Sequence, residues 1–201
     1  FKQKKLIPVR REFVKKKGLW ISSLIVCFIV LFLFCINWYF PYSPFSFTKS
    51  VFYNADSIVV KEYKKELNDF KAIYNSEKKN TLTDDRTQYI LPMFEQQWLV
   101  SGKPVKMKVS DQLHTMLNEV KETKDILIEL AFREKYSLET KEYLKIALVT
   151  CLSLENEIVE LKNSKFHSRS TLNRQIRNLH MSFIRCFDMY ATFYKEYRHL
   201  R

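Results

Sequence analysis

One uncharged run limits this 201-residue chain more than any other feature. No Asp, Glu, Lys or Arg occurs between Lys17 and Lys49, and the centre of the run, residues 18–40, reads GLWISSLIVCFIVLFLFCINWYF. At ~1.5 Å of rise per residue such a helix is roughly 34 Å long, against a bilayer hydrocarbon core of about 30 Å. The run is therefore read as a single transmembrane helix, and no second run of this kind follows it.

The flanks set its direction. Lys2, Lys4, Lys5, Arg10, Arg11, Lys15, Lys16 and Lys17 precede it, whereas only Lys49 follows before residue 61. Positive charge is retained on the cytoplasmic side, so the reading is a signal-anchor with the N-terminus inside and the C-terminal domain outside the cell membrane. Trp20 at one end and Trp38, Tyr39, Phe40 and Tyr42 at the other suit the two interfaces. A cleaved signal peptide calls for a shorter apolar core and a small-residue exit, and this run has neither. Leu24-Ile25-Val26-Cys27 resembles a lipobox only faintly, since Val26 is bulky and the apolar run continues past it. Residue 1 is Phe rather than Met, so residues upstream would bear on the topology. None of the ten Asn residues begins an Asn-X-Ser/Thr sequon, and together with the Lys-, Ile- and Asn-rich composition this leans toward a bacterial envelope.

The charge divides by segment. The chain carries net +12, of which residues 1–17 hold +7 and residues 165–201 hold +6, while residues 55–164 are near neutral at −2. The high net charge thus arises from two local clusters, and a nucleic-acid partner is not inferred from it.

Four parts follow from these patterns: a basic cytoplasmic segment at 1–17, the span at 18–40, an aromatic juxtamembrane segment at 41–55, and an extracytoplasmic domain at 56–201. The juxtamembrane segment is expected to lie against headgroups or the base of the domain. Neither Gly nor Pro occurs in the 97 residues from Val105 to Arg201, which favours long helices. Apolar residues alternate by three and four in four stretches. They run through Val60, Tyr63, Leu67, Phe70 and Tyr74, then through Leu113, Leu117, Val120, Leu127 and Leu130. They resume at Leu144, Ala147, Cys151, Leu154, Ile158 and Leu161, and again at Leu172, Ile176, Leu179, Phe183, Cys186, Tyr190, Phe193 and Tyr197. A helix over 83–100 is expected to be kinked or split by Pro92, and Ser101-Gly102-Lys103-Pro104 to form a turn. The fold expected is all-α: the membrane helix followed by an antiparallel bundle of four long helices plus one short helix. Apolar residues flanking the seams, Ile146, Leu148, Val149 and Phe187, favour this bundle over an intermolecular coiled coil.

Cys151 and Cys186 have their midpoint inside the expected loop at 163–170, so an antiparallel hairpin would set them level. A disulfide and a pair of buried thiols both fit that placement. The four His residues lie far apart, with no metal-ligand spacing, and two Gly residues cannot build a phosphate-cradling loop, so neither a metal nor a cofactor is expected. No catalytic motif is present, and the reading is non-enzymatic.

The last helix is the exception to a mixed-charge surface. Arg169, Arg174, Arg177, Arg185, Lys195 and Arg198 are its candidate contacts to an anionic partner, which outside a membrane means lipid headgroups, an anionic wall polymer or an acidic protein face. The function expected is a membrane-anchored interaction or scaffold module that binds another envelope protein. The alternative is an extracytoplasmic ligand-sensing bundle that passes its signal to a partner membrane protein.

Overall fold

The uncharged run is helical as far as Tyr39. Helix α1 covers Val9–Tyr39, and within it Trp20–Tyr39 is long and apolar enough to cross a membrane and is not buried in the rest of the protein. The computed structural model describes residues 9–76 and 81–199, with side chains from Trp20 onward. The basic flank from Lys2 to Lys17, on which the orientation rests, lies outside the described side chains.

The chain after α1 is mostly helical. In order come β1 (Ser50–Tyr53), α2 (Ser57–Ser76), α3 (Leu82–Phe94), α4 (Gln97–Val100), β2 (Val105–Lys108), α5 (Val109–Arg133), α6 (Leu138–Asn163) and α7 (Arg169–His199). The boundaries have local causes. Ser137 caps α6, its side chain accepting from the Thr140 amide, and Thr81 caps α3 by accepting from the Asp84 amide. Pro92 lies in the last turn of α3, the Glu95 amide turns back to the Pro92 carbonyl, and α4 follows as a separate turn, so the expected split is realised.

The expectation of an all-α chain is corrected by β1 and β2, which pair antiparallel with Val51 opposite Met107 and Tyr53 opposite Val105. Both are four residues long and alternate in burial, Val51 and Tyr53 facing inward from one strand and Met107 from the other. The juxtamembrane segment is thus largely part of the domain: Tyr42, Ser43, Ser46, Val51, Tyr53 and Ala55 are buried in it. Helix α5 begins directly from β2, without a side-chain cap at Lys108.

The helix directions also depart from a simple antiparallel bundle. Helices α5, α6 and α7 do alternate: Val120 and Cys151, in contact, each lie 13 residues from the helix ends joined by the loop at 134–137, and along α6 and α7 Cys151 meets Cys186 while Glu157 meets Ser182. Helix α2, however, runs parallel to α7. Tyr63 meets Phe187, Phe70 meets Tyr190, and Tyr74 meets Tyr194, rising together along both helices. The antiparallel return beside α2 is made by the shorter α3 and α4. Arg86 of α3 clamps Glu129 of α5 through two hydrogen bonds of 2.6 and 3.0 Å. Those bonds, with Arg133 on the other side, hold the Glu129 carboxyl down at about 2.

The core is one cluster running the length of the domain, and its centre is aromatic. Phe70, Phe94, Trp98, Phe183, Phe187, Tyr190, Phe193 and Tyr194 are all fully buried. Their rings meet mostly edge to face, the arrangement that their quadrupoles favour.

Candidate functional site

The end of the domain next to α1 is a tied junction of basic and aromatic residues. Asn37, near the end of α1, accepts hydrogen bonds from the Ser46 hydroxyl at 2.8 Å and from the Phe47 and Thr48 amides at 3.0 and 3.2 Å. One side chain thereby folds the loop at 41–49 back on the helix. Arg169, the first residue of α7, donates from Nε to the Trp38 carbonyl at 2.9 Å and lies over the Trp38 ring at 5.2 Å. Tyr42 donates to the Lys162 carbonyl at 2.8 Å, pinning the same loop to the end of α6. Phe45, Phe47 and Phe166 are exposed around this junction.

The remaining basic candidates of α7 separate into two groups. Arg174, Arg177, Arg185 and Lys195 are exposed and share the outward side of the helix at helical spacing. Arg198 turns inward: it stands 3.6 Å from Asp84, both side chains being less than a tenth exposed, and it lies over the Tyr194 ring. Arg169 is taken by Trp38. Between the exposed cations sits Asp188, pushed up to about 6 by burial and by the Glu66 carboxyl beside it. Near neutral pH it therefore subtracts less charge from this face than an ordinary carboxylate would.

Cys151 and Cys186 are brought together, in the form of two free, buried thiols. The hydrogen bond between them, followed by burial, raises the Cys186 pKa well above that of an ordinary thiol. Cys151 also donates to the Val120 carbonyl at 3.5 Å. Held protonated in this way, the Cys186 thiol is a poor nucleophile.

His180 was not singled out by the sequence, although it lies four residues after Ile176 and so on the buried side of α7. Its Nδ1 is 2.7 Å from the Tyr53 hydroxyl and its ring lies edge-on to Trp98, while Nε2 has no hydrogen-bond partner. Desolvation lowers its pKa to about 4, below the 6.5 of a free imidazole. The unfolded chain takes up this proton first, so stability is full above pH 6.5 and declines as pH falls toward 4. Denaturant titrations at pH 7 and pH 5 are expected to show a lower midpoint at pH 5, and His180→Gln should flatten the difference. Equal pH dependence in the two proteins would remove His180 as its source.

A polar cleft of about 310 Å³ lies between the end of α6 and the first turns of α7, lined by Glu157, Glu160, Ser164, His167 and Gln175 among others. Ser182 donates to Glu157 at 2.6 Å on its wall, and the buried Nδ1 of His167 has no partner. Among the described residues no group of three His, Cys, Asp or Glu side chains converges as a metal site would require. No protein-family model matches the chain, and comparisons with curated proteins and with solved structures likewise find no match.

Proposed function

We propose that this chain is a single-pass, membrane-anchored helical module of the cell envelope, with its N-terminus inside, its domain outside, and a non-catalytic role in binding another envelope protein. The observation that carries the reading is the outward side of α6. Ile146, Val149 and Leu152 are exposed there in succession, Val149 by 57%. At the far end of the domain Phe132 and Leu138 are 85% and 80% exposed. Apolar side chains aligned along a helix whose other face is fully packed are what a partner helix or groove would cover. The basic outward side of α7 offers the second contact, suited to an acidic protein face.

Photo-crosslinkers at Val149 and Arg177, introduced singly at native expression, test the proposal. One discrete adduct of constant mass from at least one position is the expected result. Only lipid adducts, or none, at both positions would overturn it.

The second reading, a ligand-sensing domain, is favoured by the polar cleft at the α6–α7 end. A saturable thermal shift with a small envelope metabolite, abolished by Glu160→Gln, would select it over the scaffold.

A further inference from the structure

A smaller cavity lies at the α1 end of the domain. It measures about 160 Å³ and is lined by Tyr42, Ser43, Pro44, Lys49, Ser110 and Lys165. Against ~30 Å³ per water in the liquid, it has room for one phosphate group and a few waters. Three features of its wall point to an anion. Lys49 and Lys165 approach it from different parts of the chain, and neither has an acidic residue beside it in sequence. Ser110 brings the first turn of α5, a 25-residue helix. The Val109 amide there is taken by the Lys49 carbonyl at 3.0 Å, and Lys108 supplies no side-chain cap. The amides that follow, beginning with Ser110, have no acceptor within the helix and carry the positive end of its dipole.

The third feature is independent of charge. Ser43 is 1% exposed, lines this cavity, and its buried hydroxyl has no hydrogen-bond partner. A buried hydroxyl left unmatched is destabilising, and a ligand oxygen would satisfy it. The backbone also bends to build the wall: Lys49 adopts φ 43°, a left-handed conformation rare outside Gly and Asn, and its amide reaches the Ser46 hydroxyl at 3.4 Å. Asp111, the acidic residue of that first turn, is exposed and is not part of the wall.

We infer that this cavity is a seat for a phosphate group, held by Lys49, Lys165, the Ser43 hydroxyl and the first turn of α5. Its position selects the source. The loop that forms it follows α1 directly, and the exposed rings of Phe45, Phe47 and Phe166 surround the same end of the domain. An anionic phospholipid at the outer leaflet would place its phosphate in the cavity and its acyl chains beside those rings. The lipid source rests on the reading of α1 as a span; the phosphate seat itself does not.

The test uses the full chain in neutral detergent. Inorganic phosphate and short-chain phosphatidylglycerol are titrated separately while thermal unfolding is followed. The expected result is a saturable rise in Tm with phosphatidylglycerol, with phosphate competing for the same seat. Lys49→Asn with Lys165→Gln should reduce the affinity at least tenfold, Asn being tolerant of the left-handed backbone. Ser43→Ala removes a hydroxyl without a protein partner, so Tm without ligand should stay level or rise while affinity falls several-fold. Lys141→Gln with Lys145→Gln removes the same charge elsewhere and should leave binding unchanged. A saturable shift with phosphate alone keeps the seat and replaces the lipid by free phosphate. No shift with either probe overturns the inference, and so does a shift equally weakened by Lys141→Gln with Lys145→Gln, because that is charge screening.

Discussion

Replacing Phe187 with Ala is expected to destabilise the domain by about 3–5 kcal/mol, the range for removing a large aromatic from a well-packed core. The ring is fully buried where three helices converge. It meets Tyr63 and Phe70 of α2 at 5.4 and 5.7 Å and Phe94 of α3 at 5.3 Å, all edge to face. Each such pair adds about 0.5–1.5 kcal/mol beyond the area it buries. The loss is unusually hard to relax, because the neighbours are themselves rigid rings held by further contacts. Tyr63 donates to the Phe94 carbonyl at 2.7 Å, which prevents either from sliding into the gap. At about 2–4 °C per kcal/mol for a domain of this size, Tm should fall by roughly 6–20 °C. Phe166→Ala, an exposed Phe on the α6–α7 loop, should change Tm by less than about 2 °C. Circular dichroism melts of both variants in the same detergent check the contrast; a Phe187→Ala loss below 1 kcal/mol would mean that α2 and α3 do not depend on this ring.

The second large effect is at Asp84. This buried carboxylate joins three elements at the far end of the domain. One oxygen accepts from the Tyr194 hydroxyl at 2.7 Å, and the other accepts from the Thr81 hydroxyl at 2.8 Å and faces Arg198 at 3.6 Å. Its own amide donates to Thr81, and its carbonyl accepts from the Tyr74 hydroxyl at 3.2 Å. Ala at this position keeps the backbone bonds but leaves a buried hydroxyl without its acceptor and takes a carboxylate away from a largely buried guanidinium. Removing one member of such a set typically costs about 3–5 kcal/mol. Asp84→Asn keeps the shape and loses only the charge, so about 1–2 kcal/mol is expected. A double-mutant cycle with Tyr194→Phe should return at least 1 kcal/mol of coupling. Additive losses would show that the hydrogen bond contributes nothing beyond its parts.

Phe187 also shows where the sequence was legible and where it was not. The three-four spacing located every long helix, because burial of one helical side leaves that period directly. It did not rank residues beside the seam. Phe187, Ile146 and Val149 looked alike as flanking positions, yet Phe187 is central to the core while Ile146 and Val149 face outward. Which flank is covered depends on the neighbour, and the neighbour of α7 on that side is α2, which arrives in parallel by way of α3 and α4. Loop length alone argued for antiparallel neighbours and could not show this. The two strands were missed because four residues of alternation are too short to stand out beside helical repeats, although Val105-Lys106-Met107-Lys108 carries the two-residue period. The level pairing of Cys151 and Cys186 was readable from loop arithmetic. The cavity at Ser43 was not, since it joins residues 43 and 49 of one loop to residues 110 and 165 from two other stretches of chain.

The short β ladder has a mechanical consequence. Helix α1 leads into the domain through β1, and β1 is held lengthwise against β2, which continues without a linker into α5. Ser50, on the α1 side, pairs with Lys108, on the α5 side, so a pull on α1 would enter the ladder at the end from which α5 leaves and stress its hydrogen bonds one after another, beginning with that pair. The bonds from Arg169 to Trp38 and from Tyr42 to Lys162 would divert part of that load into α7 and α6 before it reached the ladder.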